Sequence, residues 1–255
     1  MRLIGFGVCT FGTSLILSGL IRLWLDLPWW KIFRRCVSVS AVLVLWLFMR
    51  YVHRQPLRSL GLGSWRFGKQ PLVQGAMLGF GTVFLVGGLY LGTQVCRIAV
   101  TPDQDKLWRV VLGFLPAAGL VGLVEELIFR GYVLQQLLAC STRLAISGSS
   151  LLYALVHVRP TWVWPASSLE FVGLAILGWV LAHSVLRTRQ LYVAIGLHAG
   201  LAYCARVNKL VVEFTQPSLQ WLVGTNRLVN GMVAWLALLG VGRIMARWGN
   251  APAGR

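Results

Sequence analysis

Long apolar runs follow one another along this chain, at about 3–25, 37–53, 72–95, 108–138, 143–158, 169–186, 190–206 and 228–246. A bilayer-spanning helix needs about 20 mostly apolar residues. The runs therefore predict an all-α fold, a polytopic membrane helix bundle of about eight transmembrane helices, with the second, fifth and seventh short. Composition agrees: hydrophobic residues make up 57% and charged residues only 12%, where a soluble domain carries roughly a quarter charged residues. The twelve Trp suit the aromatic belts at membrane–water boundaries. The opening MRLIGFGVCTFG resembles a signal peptide, but its apolar stretch continues to about Leu25, which predicts an uncleaved first span. The stretch 207–227, with Pro217 and polar spacing, predicts an interfacial loop or short helix. The expected whole is a single integral membrane domain over 1–255, multi-pass in the cell membrane.

The net charge of +17 raises the question of nucleic acid, because basic proteins neutralise phosphates. Here the basic residues sit in short connections between apolar runs, as in Lys31–Arg35, Arg50–Lys69 and Arg187–Arg189. Anionic lipid headgroups would meet them there, so the bilayer is the expected partner and nucleic acid is not. The set Arg50, Arg54, Arg58, Arg66 and Lys69 favours a cytoplasmic N-terminus. Five scattered cysteines with no CxxC pair give neither a disulfide framework nor a thiolate zinc site.

Only seven acidic residues exist, and two of them, Glu125 and Glu126, stand side by side inside an apolar run. An ionisable group in hydrocarbon costs about 2.5–3.5 kcal/mol on insertion scales, which makes both functional candidates. An internal ion pair that fixes packing explains Glu126 well, because Arg130 lies one helical turn on. Glu125 points about 100° away and has no such local partner. Small residues before it (Gly113, Ala117, Ala118, Gly119, Gly122) predict close helix approach, and Pro116 predicts a bend.

His157 is the next anomaly. If 108–138 and 143–157 form a hairpin turning near position 141, Glu125 and His157 are each 16 residues from that position. Both then lie roughly 20 Å below the turn, level with one another. His198 lies near the middle of a short run, flanked by Gly196 and Gly200. Taken singly, a buried His is more often a packed core residue than a catalyst. His183 and His53 are read that way, the first structural and the second solvated. Together the set suits hydrolysis: a carboxylate takes a proton from water with a His holding the water or shuttling the proton, and a second His donates to the oxyanion.

EELIFRG (Glu125–Gly131) resembles the EExxxR signature of the CAAX protease and bacteriocin-processing family, also called the ABI family. YALVH (Tyr153–His157) resembles its FxxxH motif with Tyr for Phe. LHAGLA (Leu197–Ala202) resembles its HxxxN motif, with Ala202 at the Asn position. Order and spacing agree over about 108–206, the expected catalytic core. The resemblance implies an eight-helix intramembrane endopeptidase acting on a membrane-associated protein or peptide. It implies that Glu125 and His157 activate water, that His198 stabilises the oxyanion, and that Glu126 and Arg130 hold the geometry. With Asn absent, Tyr203 or Asn208 is the candidate replacement donor, Tyr153 a further auxiliary group, and a variant site the alternative.

Zinc at Glu125, His157 and His198 is a second possibility, since one carboxylate and two imidazoles leave a position open for water. There is no HExxH helix, and Glu125 is needed as base, so no metal is the expectation. Two other functions compete: a non-catalytic scaffold or immunity factor, argued by Ala202, and a proton-coupled transporter, for which intramembrane Glu and His are also typical.

Overall fold

The computed structural model describes residues 2–157, 161–224 and 230–248. Positions 158, 225–227 and 228–229, which belong to the fifth run, the 207–227 stretch and the eighth run, lie outside them. Eight long helices follow the eight apolar runs: α1 (Arg2–Arg22), α2 (Trp29–Leu47), α3 (Trp65–Gly92), α4 (Gln104–Glu126), α6 (Thr142–His157), α7 (Ala166–Thr188), α8 (Tyr192–Val211) and α10 (Met232–Trp248). A π-helical turn, Phe48–Val52, extends α2, and another, Leu127–Val133, joins α4 to the short α5 (Leu134–Leu138). Among the described residues, five helical stretches are long and apolar enough to cross a membrane: Arg2–Arg22, Trp29–Val52, Leu57–Gly92, Gln104–Leu138 and Ala166–Thr188. The protein is an all-α polytopic bundle and an integral membrane protein.

The boundaries differ from the apolar runs for local reasons. Helix α3 begins seven residues before the run at 72 and passes through Pro71, which removes the bond that an N–H there would give the Phe67 carbonyl. Helix α4 begins where Asp103 caps it, its side chain accepting from the Lys106 N–H at 2.9 Å. Helix α8 runs on past Arg206 and Lys209 to Val211. Within the stretch expected to be a loop or short helix lies a strand that was not expected, β2 (Val212–Phe214), paired antiparallel with β1 (Cys96–Ile98). Arg97 and Glu213 face each other across this pair, with Arg97 Nη2 in salt-bridge contact at 2.6 Å. A single 3-10 turn and a short helix, α9 (Gln220–Val223), follow.

Helix α8 is the hub. Its residues from Tyr192 to His198 are all buried, and a helix apolar on every side must be enclosed by others. It runs parallel to α3: Gly68 lies against Tyr192, Gly75 against Val193 and Gly79 against Leu201. The contact is backbone on backbone. A Cβ at Gly196 would lie 2.0 Å from the Leu72 carbonyl oxygen, and one at Gly75 2.1 Å from that of Val193. Small residues four apart on both helices are the membrane device for such approach. On α4 only part of the small-residue stretch serves this purpose. Gly122 meets Ile195 and Ala199 of α8, whereas a Cβ at Gly113 or Gly119 would touch nothing within 4 Å.

His53 is not simply solvated: it is half-buried, with Nε2 3.3 Å from the Tyr132 hydroxyl. Burial, and then the Arg2 charge, lower its pKa. The His183 ring lies 3.9 Å from that of Trp179, and its Nδ1 is 2.9 Å from the Trp179 carbonyl.

Gly196→Ala is expected to destabilise the protein by about 1–3 kcal/mol or more, because the added methyl meets rigid backbone. Gly113→Ala should be close to neutral. Thermal unfolding of the two variants in detergent checks this, and equal melting temperatures would refute the packing argument.

Candidate active site

Five ionisable side chains, from three helices and the π turn after α4, meet beneath the turn between α5 and α6. Two come from the end of α4, Glu125 and Glu126, with Arg130 from the π turn directly after them. One comes from the last residue of α6, His157, and one from the middle of α8, His198. A π turn inserts an extra residue per turn and is frequent at functional sites. Nothing in the apolar pattern of 108–138 announced it.

Glu126 and Arg130 form the inner part, both fully buried, with Arg130 Nη1 donating to Glu126 Oε1 at 2.9 Å. The expected ion pair is therefore present, and it has two further partners. Arg130 Nη2 donates to the Gly178 carbonyl of α7 at 3.3 Å. Glu126 Oε1 lies 2.8 Å from His198 Nδ1. No signal in the sequence links position 130 to 178. The His198 contact had a faint one, in that the Asn expected beside His198 is missing. Tyr153 closes this inner layer, its ring 4.5 Å below the Arg130 guanidinium and 4.5 Å from the His157 ring.

Glu125 and His157 form the outer part. Their side chains are 24% and 29% exposed, against 7% for His198. Glu125 Oε2 lies 3.2 Å from His157 Nε2 and 3.5 Å from His198 Nε2. The level placement read from the 16-residue spacing about position 141 is realised as direct contact.

Hydrogen bonding fixes how the two rings are protonated. His157 Nδ1 is 2.7 Å from the Tyr153 carbonyl, which can only accept, so Nδ1 carries a proton. His198 Nδ1 likewise donates to the Glu126 carboxylate. Each ring thus presents Nε2 to Glu125 Oε2. That buried oxygen is in hydrogen-bond geometry with neither ring.

The candidate auxiliary groups divide. Tyr153 is in the cluster. The Tyr203 hydroxyl is not: it donates to the Val111 carbonyl at 2.7 Å, and Val111 lies roughly 20 Å along α4 from Glu125. Asn208 is ten residues past His198 on the same helix, about 15 Å along its axis. Neither residue replaces the missing Asn beside His198, and the group that holds the ring is Glu126. Among the described residues no set of three or more His, Cys, Asp or Glu side chains is arranged to hold a metal ion.

Residues 107–204 match the family model described as Type II CAAX prenyl endopeptidase Rce1-like. No curated protein and no solved structure matches the chain. The matched segment carries all three motifs read from the sequence, and it is of the CAAX protease family. The likeness to a CAAX-type endopeptidase thus rests on this segment.

Removing Arg130 alone should leave the Glu126 carboxylate buried and uncompensated. Arg130→Ala is expected to cost about 3–5 kcal/mol, and the double change Glu126→Leu with Arg130→Met appreciably less. Equilibrium unfolding of the two in detergent decides it. A double variant as damaged as the single one would contradict the assignment of a charge pair.

Proposed function

We propose that this protein hydrolyses a peptide bond of a membrane-associated protein or peptide with a water molecule activated by Glu125. The observation that carries the reading is the convergence of two imidazole Nε2 atoms on Glu125 Oε2, each with its Nδ1 proton already engaged. A neutral His157 offers only a lone pair at Nε2, so it and Glu125 can together hold a water through the water's own protons. Glu125 takes one proton as the oxygen attacks the peptide carbonyl. His198, with Nδ1–H given to Glu126, becomes an imidazolium when Nε2 is also protonated. Its Nε2–H then meets the oxyanion, as a preorganised donor should. Collapse of the tetrahedral intermediate passes the proton from Glu125 to the departing amine, which restores the starting state.

With His198 as imidazolium, the charges of Glu125, Glu126, Arg130 and His198 sum to zero, as a site in low dielectric requires. Segment 108–206 is the proposed catalytic core. The reading needs no metal. Glu125 is used as base, and no step is routed through a metal.

A second reading, a non-catalytic membrane scaffold or immunity factor, is favoured by one observation, Ala202 in place of the Asn that would stand one turn after His198. The two readings part on activity. Purified protein is tested on a prenylated CAAX peptide and on an unprenylated membrane-anchored peptide. Glu125→Ala and His157→Ala should each lower cleavage by about 10²–10⁴, the usual share of acid–base catalysis. His198→Ala should lower it by about 10²–10³. Cleavage that survives both of the first two changes removes the mechanism, and a wild type inactive on both peptides supports the scaffold. Chelator treatment should leave activity unchanged, with no stoichiometric zinc by elemental analysis. Loss on chelation and return with zinc would establish the metal alternative at Glu125, His157 and His198.

A further inference from the structure

An apolar groove of about 320 Å³ runs along α8, between α3 and α4, and none of the ionisable side chains of the cluster lines it. Its floor is made of the small residues Gly196, Ala199 and Gly200. Ala76 on α3 and Gly119 on α4 keep the walls apart, and Trp65 and Tyr192 close one end. Gly119 is one of the glycines of α4 that no helix contacts, since a Cβ there would touch nothing within 4 Å. On α4 the groove is lined by Leu115, Gly119 and Leu123. Glu125 points about 120° away from that stripe, so an occupant of the groove does not reach the carboxylate.

The closed end is basic. Helices α3 and α8 run parallel, so both begin there, and the Leu191 N–H bonds the Gly61 carbonyl at 3.0 Å to tie their leading segments together. Arg58, Arg66, Lys69, Arg187 and Arg189 all belong to these segments. Lys69 lies on the groove-lining stripe of α3, its ammonium 5.9 Å from the centre of the Trp65 ring. Opposing charge is absent from both stretches of sequence: no acidic residue occurs between Asp26 and Asp103, or between Glu170 and Glu213.

From the apolar trough and the unbalanced positive charge at its Trp65–Tyr192 end, we infer that the groove holds one acyl chain of an anionic phospholipid, with the headgroup at Arg66 and Lys69. A lipid supplies both halves of the complement: a chain for the apolar length of the wall, and a phosphate for the cations. Basic side chains at a membrane surface each contribute about fivefold to the attraction of anionic lipid. Trp65 and Tyr192 stand at the starts of α3 and α8, and aromatic residues of this kind are enriched where a spanning helix meets the interface.

The test is native mass spectrometry of the full-length protein released from nanodiscs of equal phosphatidylglycerol and phosphatidylcholine, with bound lipid counted. The wild type should retain one phosphatidylglycerol in preference to phosphatidylcholine. Gly119→Leu fills the trough and should lose that lipid while keeping its melting temperature. Arg66→Gln with Lys69→Gln should lower the preference by roughly 25-fold, about fivefold for each charge. Should Gly119→Leu fail to fold, the charge variant decides alone. A wild type without preference, or a charge variant that retains the lipid as well as wild type, overturns the inference. So does a Gly119→Leu protein that keeps the lipid and changes only from dimer to monomer, which would give the groove to a second copy of the chain. Cleavage activity is not part of the readout, so failure here is separable from failure of the proposed reaction.

Discussion

A carboxylate placed where no water reaches it must find its counter-charge within the protein, and Glu126 does so twice. Arg130 and His198 both bond its Oε1. The rest of the site hangs on this oxygen. It holds the guanidinium that Tyr153 packs beneath and that reaches α7 through Gly178. It also sets the His198 proton on Nδ1, which leaves Nε2 for the reacting side. Glu126 needs no contact with a substrate to matter, because it decides which face of His198 is chemically available. The same logic applies at a smaller scale to His157, where a backbone carbonyl of its own helix does the orienting.

The cluster is layered. The inner pair is sealed, and the outer pair is about a quarter exposed. Helix α6 is described over the 16 residues Thr142–His157, and His157 stands at the end of that span, in the more exposed layer. The buried layer supplies charge balance and rigidity, and the open layer supplies contact with a substrate and with water.

Much of this was legible in the sequence. Eight apolar runs gave eight long helices, because hydrocarbon leaves the backbone little alternative. The Glu126–Arg130 pair followed from helical spacing, and the level placement of Glu125 and His157 from counting about a tight turn. What could not be read was long-range or geometric. Gly178 as an acceptor for Arg130 depends on how α7 lies against α6. The π turn at Leu127–Val133 changes hydrogen bonding without changing the apolar pattern. Tyr203 and Asn208 were plausible donors by residue type, but their distances along α8 place them elsewhere. The β1–β2 pair escaped because three-residue strands leave no periodicity to detect.

The contact of α3 with α8 carries a consequence for how this protein can change over time. At Gly75 and Gly196 the atoms nearest an added methyl belong to the opposite backbone, not to side chains. A lesion at either glycine therefore cannot be relieved by trimming a residue on the other helix, since there is nothing left to trim. Suppressors of such a lesion must arise away from the contact or not at all. The two helices thus form a pair whose register is closed to compensation, while the open side of α4 at Gly113 stays free to vary.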